Sequence, residues 1–235
     1  GQLAVDVLTE LQTCYPALFE LLDYVIVEPS AERTKWQQAT LAAFGNKVTW
    51  LSGWQDASPV SGIIFSNELL DAFPLHRFVR EGNKWSELRI GVTGDSFDWI
   101  NVPTKLSAGV PEELAKQLPD GFVIERSPAA ERWWSDAARG LREGWLMTID
   151  YGSTQDDLRQ SGRTAGTLRA YRNHSLADNP LADPGEQDLT AHVNWSAIQQ
   201  AGEDAGLDTV ELTDQSRYLT RILARAVEAD SGRWQ

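Results

Sequence analysis

The sequence predicts an α/β fold: a mostly parallel sheet with helical crossovers, an inserted antiparallel section and a late antiparallel strand. Three observations carry this. Short apolar runs at Tyr24–Val27, Lys47–Leu51, Gly62–Phe65 and Trp145–Ile149 have the unbroken hydrophobicity of strands covered on both faces. The first two are separated by a helical stretch, and this strand–helix–strand rhythm implies parallel pairing with right-handed crossovers. Residues 77–100 then alternate polar and apolar around Glu81-Gly82-Asn83-Lys84 and Val92-Thr93-Gly94-Asp95, the signature of antiparallel hairpins.

Taken in order, Leu3, Val7, Leu8, Leu11, Leu18, Leu21 and Leu22 recur at helical spacing, and Pro16 breaks the run into two pieces. The first strand closes at Glu28-Pro29. Ser30 caps a helix over Ala31–Phe44, with Arg33 rather than an acid three positions on, so no capping box forms. Gly45-Asn46 stops it. After the strand Gly62–Phe65, a helical turn is expected from Glu68. The insertion occupies residues 76–125 and holds two or three strands, then Pro-punctuated chain with a short helix near Pro111–Gln117. Ser127 caps a helix over Pro128–Leu141 with Pro128 at its first position, and Glu143-Gly144 then ends it. Residues 153–190 contain few apolar runs and read as a long lid-like loop. Asn194 caps the next helix, Leu207–Leu212 is the late strand, and Tyr218–Glu228 the last helix. The whole reads as one domain, 1–235.

The 235 residues carry a net charge of −13, which argues against nucleic-acid binding, since that needs Lys and Arg to displace counterions. An acidic surface suits a basic polypeptide partner instead. The apolar fraction of 42% is that of an ordinary globular chain, and no apolar run approaches the ~20 residues that span a bilayer. Cys14 is the sole cysteine, so no internal disulfide forms; a packing role in the first helix is expected. The ten tryptophans are expected to pack the insertion and loops.

Candidate chemistry gathers at strand tips, where open α/β sheets bind ligands. Gly1 opens a helix whose N-terminus a polar or anionic ligand can approach. Glu28, at the tip of the next strand, can accept two ribose hydroxyls. Asn67 ends the third strand with an amide that both donates and accepts. Asp71 lies three residues after Glu68 and shares its face if a helical turn starts there. Two such carboxylates can grip a cation or take its proton. Tyr151, in Asp150-Tyr151-Gly152, follows a strand and either lines the cleft or is a turn aromatic. Tyr171, His174 and Asp188 fall in the 153–190 stretch. His174, His192 and Asp188 are loosely spaced and have no cysteine partner, so no metal site is expected; His–Asp bonding that pins the loop is. Arg169 and Arg172 would hold the loop as a lid.

Ser66-Asn67-Glu68-Leu69-Leu70-Asp71-Ala72-Phe73-Pro74 resembles the core signature of the MidA-type proteins, class I S-adenosylmethionine-dependent methyltransferases linked to respiratory complex I assembly. The resemblance continues through Asp150-Tyr151-Gly152, Gly166-Thr167-Leu168-Arg169-Ala170-Tyr171 with His174, and Pro184-Gly185-Glu186-Gln187-Asp188-Leu189-Thr190-Ala191-His192-Val193. It covers nearly the whole chain. It implies a Rossmann-like class I sheet with S-adenosyl-L-methionine as cofactor. Gly1 would approach the methionine moiety, Glu28 hold the ribose, Trp54, Gln55 and Asp56 lie near the adenine, and Asn67 sit beside the sulfonium. Glu68 and Asp71 would grip a substrate guanidinium, with Tyr151, Tyr171, His174 and Asp188 on the substrate or lid side. Gly1 matches only the last glycine of the family's G-x-G-x-G motif, so the first strand and earlier glycines are expected to be missing from this chain.

The implied reaction is methylation of a protein arginine, with a complex I subunit as the implied partner. The implied compartment is the mitochondrial matrix for a eukaryotic chain and the cytoplasm for a bacterial one. Two other readings use the same residues: a non-catalytic assembly platform, and a nicotinamide-dependent oxidoreductase, against which the insertion and later motifs speak.

Overall fold

A computed structural model describes residues 1–158 and 164–231. The fold is α/β with both parallel and antiparallel sheets. The chain divides into two compact units, Gly1–Gly62 with Gly140–Gly144, and Ile63–Arg139 with Trp145–Gln235.

The first unit opens with α1 (Gln2–Cys14) and α2 (Pro16–Leu21), broken at Pro16, which stands at the first position of α2. Proline is tolerated there because its missing N–H would have had no intrahelical partner. The predicted apolar stripe buries Ala4 and Leu8 with Phe19, Leu41 and Val48. Full burial of a side chain such as Leu8 is worth about 1.5–3 kcal/mol. Cys14, expected to pack, is exposed in the last turn of α1. β1 (Tyr24–Val27) pairs in parallel with β2 (Val48–Leu51) across α3 (Ala31–Thr40). The Ser30 hydroxyl accepts from Arg33 N–H at 3.3 Å, capping α3 as expected. The α-helix ends four residues before the predicted Phe44, and a 3₁₀ segment, Ala42–Lys47, carries the chain into β2.

β3 (Val60–Asn67) pairs with β8 (Leu141–Ile149); within the second unit this pairing is reinforced by Ser66 Oγ donating to Thr148 Oγ1 at 2.9 Å. The insertion is a four-stranded antiparallel sheet in the order β6-β5-β4-β7: β4 (His76–Glu81), β5 (Lys84–Thr93), β6 (Ser96–Pro103) and β7 (Val123–Arg126). Its first hairpin closes at Glu81↔Lys84 around Gly82, whose φ of 60° meets the left-handed requirement of a two-residue turn. A short α4 (Glu112–Ala115) lies between β6 and β7, and Phe78, Ala108, Leu118, Phe122 and Ile124 form the local core.

α5 (Pro128–Gly140) follows, with Ser127 Oγ accepting from Ala130 N–H at 3.1 Å. The helix stops at Gly140, one residue short of the expected Leu141, and the strand expected over Trp145–Ile149 begins earlier, at Leu141, as β8. The 153–190 stretch is not bare loop. After β9 (Gly152–Ser153) and α6 (Gln155–Leu158), β10 (Arg169–Arg172), β11 (Ser175–Ala177) and β12 (Asp188–Thr190) form a three-stranded antiparallel sheet. β13 (Val193–Asn194) pairs in parallel with β9 and leads into α7 (Trp195–Glu203), capped by Asn194. The expected late strand at 207–212 does not form: residues 207–214 have no sheet assignment, and Val210 and Leu212 are exposed. Alternation alone makes no strand without a neighbour to complete its ladder. α8 (Gln215–Ser231) follows.

Candidate functional site

In the first unit, Glu28 continues β1 and donates its N–H to Leu51 O at 2.8 Å. Because β1 and β2 run parallel in register Val27↔Leu51, Glu28 and the Ser52–Asp56 segment leave from one sheet edge. The half-buried Glu28 carboxylate is held from both sides. Oε1 accepts from Ser30 N–H at 3.0 Å, and Oε2 accepts from Gln37 Nε2 at 3.0 Å. Gln37 is itself fixed by Trp50 Nε1, which donates to its Oε1 at 2.9 Å. Each carboxylate oxygen has a second lone pair, so this preset group retains acceptor capacity for vicinal hydroxyls and fits a ribose.

Trp54, Gln55 and Asp56 form a single 3₁₀ turn, with Ser52 Oγ donating to Asp56 Oδ2 at 2.7 Å. Gly1 is the N-cap of α1. A Cβ there would come within 3.2 Å of Thr40, so close packing on α3 also favours glycine at this position.

In the second unit, Asn67 ends β3 and is exposed. The expected helical turn from Glu68 does not form. Glu68 instead adopts a left-handed φ of 45°, a conformation that costs a non-glycine residue about 1–2 kcal/mol, and only Leu70–Ala72 makes a 3₁₀ turn. Contacts from later in the chain hold this segment. Glu68 N–H donates to Ile149 O at 2.9 Å. Asp150 Oδ2 accepts from the N–H groups of Leu69, Leu70 and Asp71 at 3.1, 2.8 and 3.3 Å, and Asp150 Oδ1 accepts from Tyr151 N–H at 2.8 Å.

The Tyr151 hydroxyl donates to Glu68 Oε1 at 3.3 Å. The Glu68 carboxylate pushes the Tyr151 phenol above its ordinary pKa, so it remains a protonated donor. Asp71 Oδ2 accepts from Thr190 Oγ1 at 2.6 Å, while Asp71 Oδ1 is buried and has no hydrogen-bond partner among the described residues. Burial first, and the neighbouring Asp71 carboxylate as well, raise the Asp150 pKa against the opposing pull of its backbone N–H donors. Glu68, Asp71 and Tyr151 are thus brought together, and Asp71 also lines a small pocket with Leu70, Phe73, Ala130, His192 and Ile198.

Tyr171 and Asp188 stand opposite one another in the β10–β12 register. His174 has a structural duty that the sequence reading missed. With Asn173 it forms the two-residue turn closing Arg172↔Ser175, at φ values of 51° and 61°, the left-handed pair of a type I′ hairpin. Among the described residues no group of three or more His, Cys, Asp or Glu could hold a metal. Arg172 Nη1 pairs with Asp183 at 2.6 Å, within this stretch. His174→Gly is expected to stabilise the protein by about 1 kcal/mol by relieving the left-handed strain, read as a rise in melting temperature.

The sequence reading also passed over Glu125, Asp150 and Thr190. Glu125 is buried (8% exposed) and gathers Thr167 N–H at 2.9 Å, Thr167 Oγ1 at 3.1 Å, Leu168 N–H at 3.3 Å and Arg77 Nε at 3.3 Å. Thr167 Oγ1 in turn accepts from His192 N–H at 3.0 Å. The only signal for Asp150 was its place after an apolar strand. Nothing near Glu125 or Thr190 in sequence announced their partners.

The comparisons agree with this architecture. The crystal structure of a superfamily member from Burkholderia thailandensis bound to S-adenosyl-homocysteine superposes with a TM-score of 0.79 at 32% identity, covering 99% of this chain and 61% of that one. The mitochondrial protein arginine methyltransferase NDUFAF7 homolog of Drosophila melanogaster is 28% identical over 210 residues, 83% of this chain and 45% of that protein. The Caenorhabditis elegans homolog is 26% identical over 168 residues, 68% of this chain and 37% of that protein. The chain therefore spans less than half the length of these curated relatives. Residues 1–213 match the family described as "Putative S-adenosyl-L-methionine-dependent methyltransferase", and with four separated motifs and the fold in agreement, the chain belongs to this family, whose cofactor is S-adenosyl-L-methionine.

Proposed function

We propose that this chain carries the methyl-transfer site of a protein arginine methyltransferase, with a respiratory complex I subunit as the acceptor class. The observation that carries the reading is the Glu68–Asp71 segment at the end of β3, with the Tyr151 hydroxyl on the Glu68 carboxylate and Asp150 on the Asp71 N–H. The names of the mitochondrial relatives support arginine as acceptor. With them, the matrix is the compartment proposed for a eukaryotic source, and the cytoplasm for a bacterial one. Among the described residues no helix is long and apolar enough to cross a membrane.

When bound, S-adenosylmethionine supplies a methyl group activated on a sulfonium. In this reading Glu28 would hold the ribose hydroxyls, Gly1 would admit the methionine moiety to the α1 N-terminus, Trp54, Gln55 and Asp56 would lie near the adenine, and Asn67 would be the residue offered to the sulfonium. Glu68 and Asp71 pair with guanidinium N–H groups, a planar fork matched to carboxylates. They would orient the acceptor guanidinium, whose nitrogen takes up the methyl group that the cofactor supplies. Glu68 receives the proton the nitrogen loses. Positioning of this kind lowers a displacement barrier without any covalent role for the protein. Tyr171 and Asp188, with the His174 turn, form the rim that meets the acceptor polypeptide, whose basic character suits the chain's net charge of −13.

The direct test incubates the whole protein with methyl-labelled S-adenosylmethionine and isolated complex I subunits, then looks for methylarginine after hydrolysis. Label elsewhere than arginine overturns the acceptor assignment. Binding of S-adenosylhomocysteine without any turnover returns the assembly-platform reading. Glu28→Gln is expected to weaken S-adenosylhomocysteine binding about 10–100-fold, the worth of a hydrogen bond to a charged group; unchanged calorimetric affinity removes Glu28 from the cofactor site.

A further inference from the structure

We propose that Asp150 is the positioning residue of the acid pair: by gathering the backbone N–H groups of Leu69, Leu70 and Asp71, it fixes where Glu68 and Asp71 present their carboxylates. The inference rests on the reading of Glu68 and Asp71 given above and assigns the residue on which their geometry depends.

Three features of the site support it. First, three successive N–H groups converge on one oxygen, Asp150 Oδ2, at 2.8–3.3 Å. Such a concavity of consecutive backbone donors is an anion nest, here filled by the protein's own carboxylate. Charge-assisted bonds of this kind are about twice as strong as neutral ones. Second, the segment they hold does not hold itself. Glu68 stands at a left-handed φ of 45°, and its own N–H finds its acceptor at Ile149 O, 2.9 Å away. A non-glycine residue keeps such a conformation only where its surroundings over-determine it. Third, the next residue completes the grip, because the Tyr151 hydroxyl reaches Glu68 Oε1 at 3.3 Å. Asp150 and Tyr151 therefore govern backbone and side chain of the same segment.

Asp150 Oδ2 is not itself placed to bind a substrate, since three backbone donors already occupy it. Nor is a carboxylate the obvious choice for a turn anchor. It stands half-buried beside the like charge of Asp71, and a local conflict of this kind is expected at functional sites rather than in plain scaffolding.

The test uses Asp150→Asn in the whole protein, assayed well below the melting temperature of both proteins so that the folded fraction is equal. Asparagine keeps the shape but puts an amide donor where a second acceptor is needed, either against Tyr151 N–H or against the nest. The expected result is a fall in kcat of about 100-fold, with the KM for S-adenosylmethionine within about threefold of the parent. Hydrogen exchange at the amides of residues 69–71 should quicken. A kcat within threefold of the parent despite faster exchange overturns the proposal. So does a proportional loss of cofactor binding, which marks a merely structural anchor. If the variant does not fold, exchange in the parent decides. Amides 69–71 that exchange as freely as an exposed loop refute the nest, and strong protection supports it. Glu68→Gln and Asp71→Asn are run in parallel. If those two turn over normally, the acid-pair reading itself is wrong; if they fail while Asp150→Asn works, only the positioning role is.

Discussion

Glu68→Gln and Asp71→Asn should each lower turnover by about 10²–10³-fold, the range seen when one preorganised polar contact to a reacting group is removed, while leaving S-adenosylhomocysteine affinity nearly unchanged. The two differ in what else they disturb. Glu68 is exposed, and its carboxylate has one modest partner, the Tyr151 hydroxyl, so Glu68→Gln should fold like the parent. Asp71 is tied to Thr190 Oγ1 at 2.6 Å and, through its carbonyl, to Ala191 N–H at 3.1 Å. Asp71→Asn can keep the carbonyl contact and, with its amide oxygen toward Thr190, the hydroxyl contact too. What it loses is charge. Steady-state kinetics with a fixed arginine acceptor, beside calorimetry with S-adenosylhomocysteine, separates chemistry from binding. Normal turnover in both variants would remove the acid pair from the mechanism.

Gly166→Ala is expected to damage stability strongly. Gly166 has a φ of 79°, where an L side chain is strained by about 1–2 kcal/mol. A Cβ there would lie 2.2 Å from Glu125 Oε1, well inside van der Waals contact. The Glu125 carboxylate cannot retreat without giving up Thr167, Leu168 and Arg77, and breaking a buried charged network costs about 3–5 kcal/mol. Partial relief by side-chain movement leaves an expected loss of about 2–4 kcal/mol, or about 5–15 °C in melting temperature for a chain of this size. A melting temperature within 2 °C of the parent would show that the Glu125 cluster yields freely.

The comparison of sequence with structure divides along the range of the interactions involved. Ser30, Ser127 and Asn194 were legible as caps because a cap is made with a backbone N–H three residues away. The Gly82-Asn83 hairpin was legible because its turn chemistry and the alternation around it are local. The β10–β11 hairpin escaped notice for the opposite reason. Its strands are three or four residues long, carry Arg169 and Arg172, and meet at Asn-His rather than at a glycine turn. At the candidate site, sequence spacing brought Glu68 and Asp71 together on a helical face that the chain does not make. The segment that carries both is held instead by Asp150, some 80 positions later, which gathers the turn from outside. A long-range carboxylate-to-backbone contact leaves no periodic trace in sequence, so the pairing was anticipated without its cause.

Asp71 finds its hydroxyl partner 119 positions downstream, at Thr190. During synthesis from the N-terminus, the strand that delivers Asp71 leaves the ribosome long before that hydroxyl exists. A nascent chain that has not yet reached Thr190 can already hold the preset Glu28 carboxylate, whose partners Ser30 and Gln37 lie two and nine positions away. In the proposed reading, the nucleoside side would then take shape before the acceptor side as the chain is made.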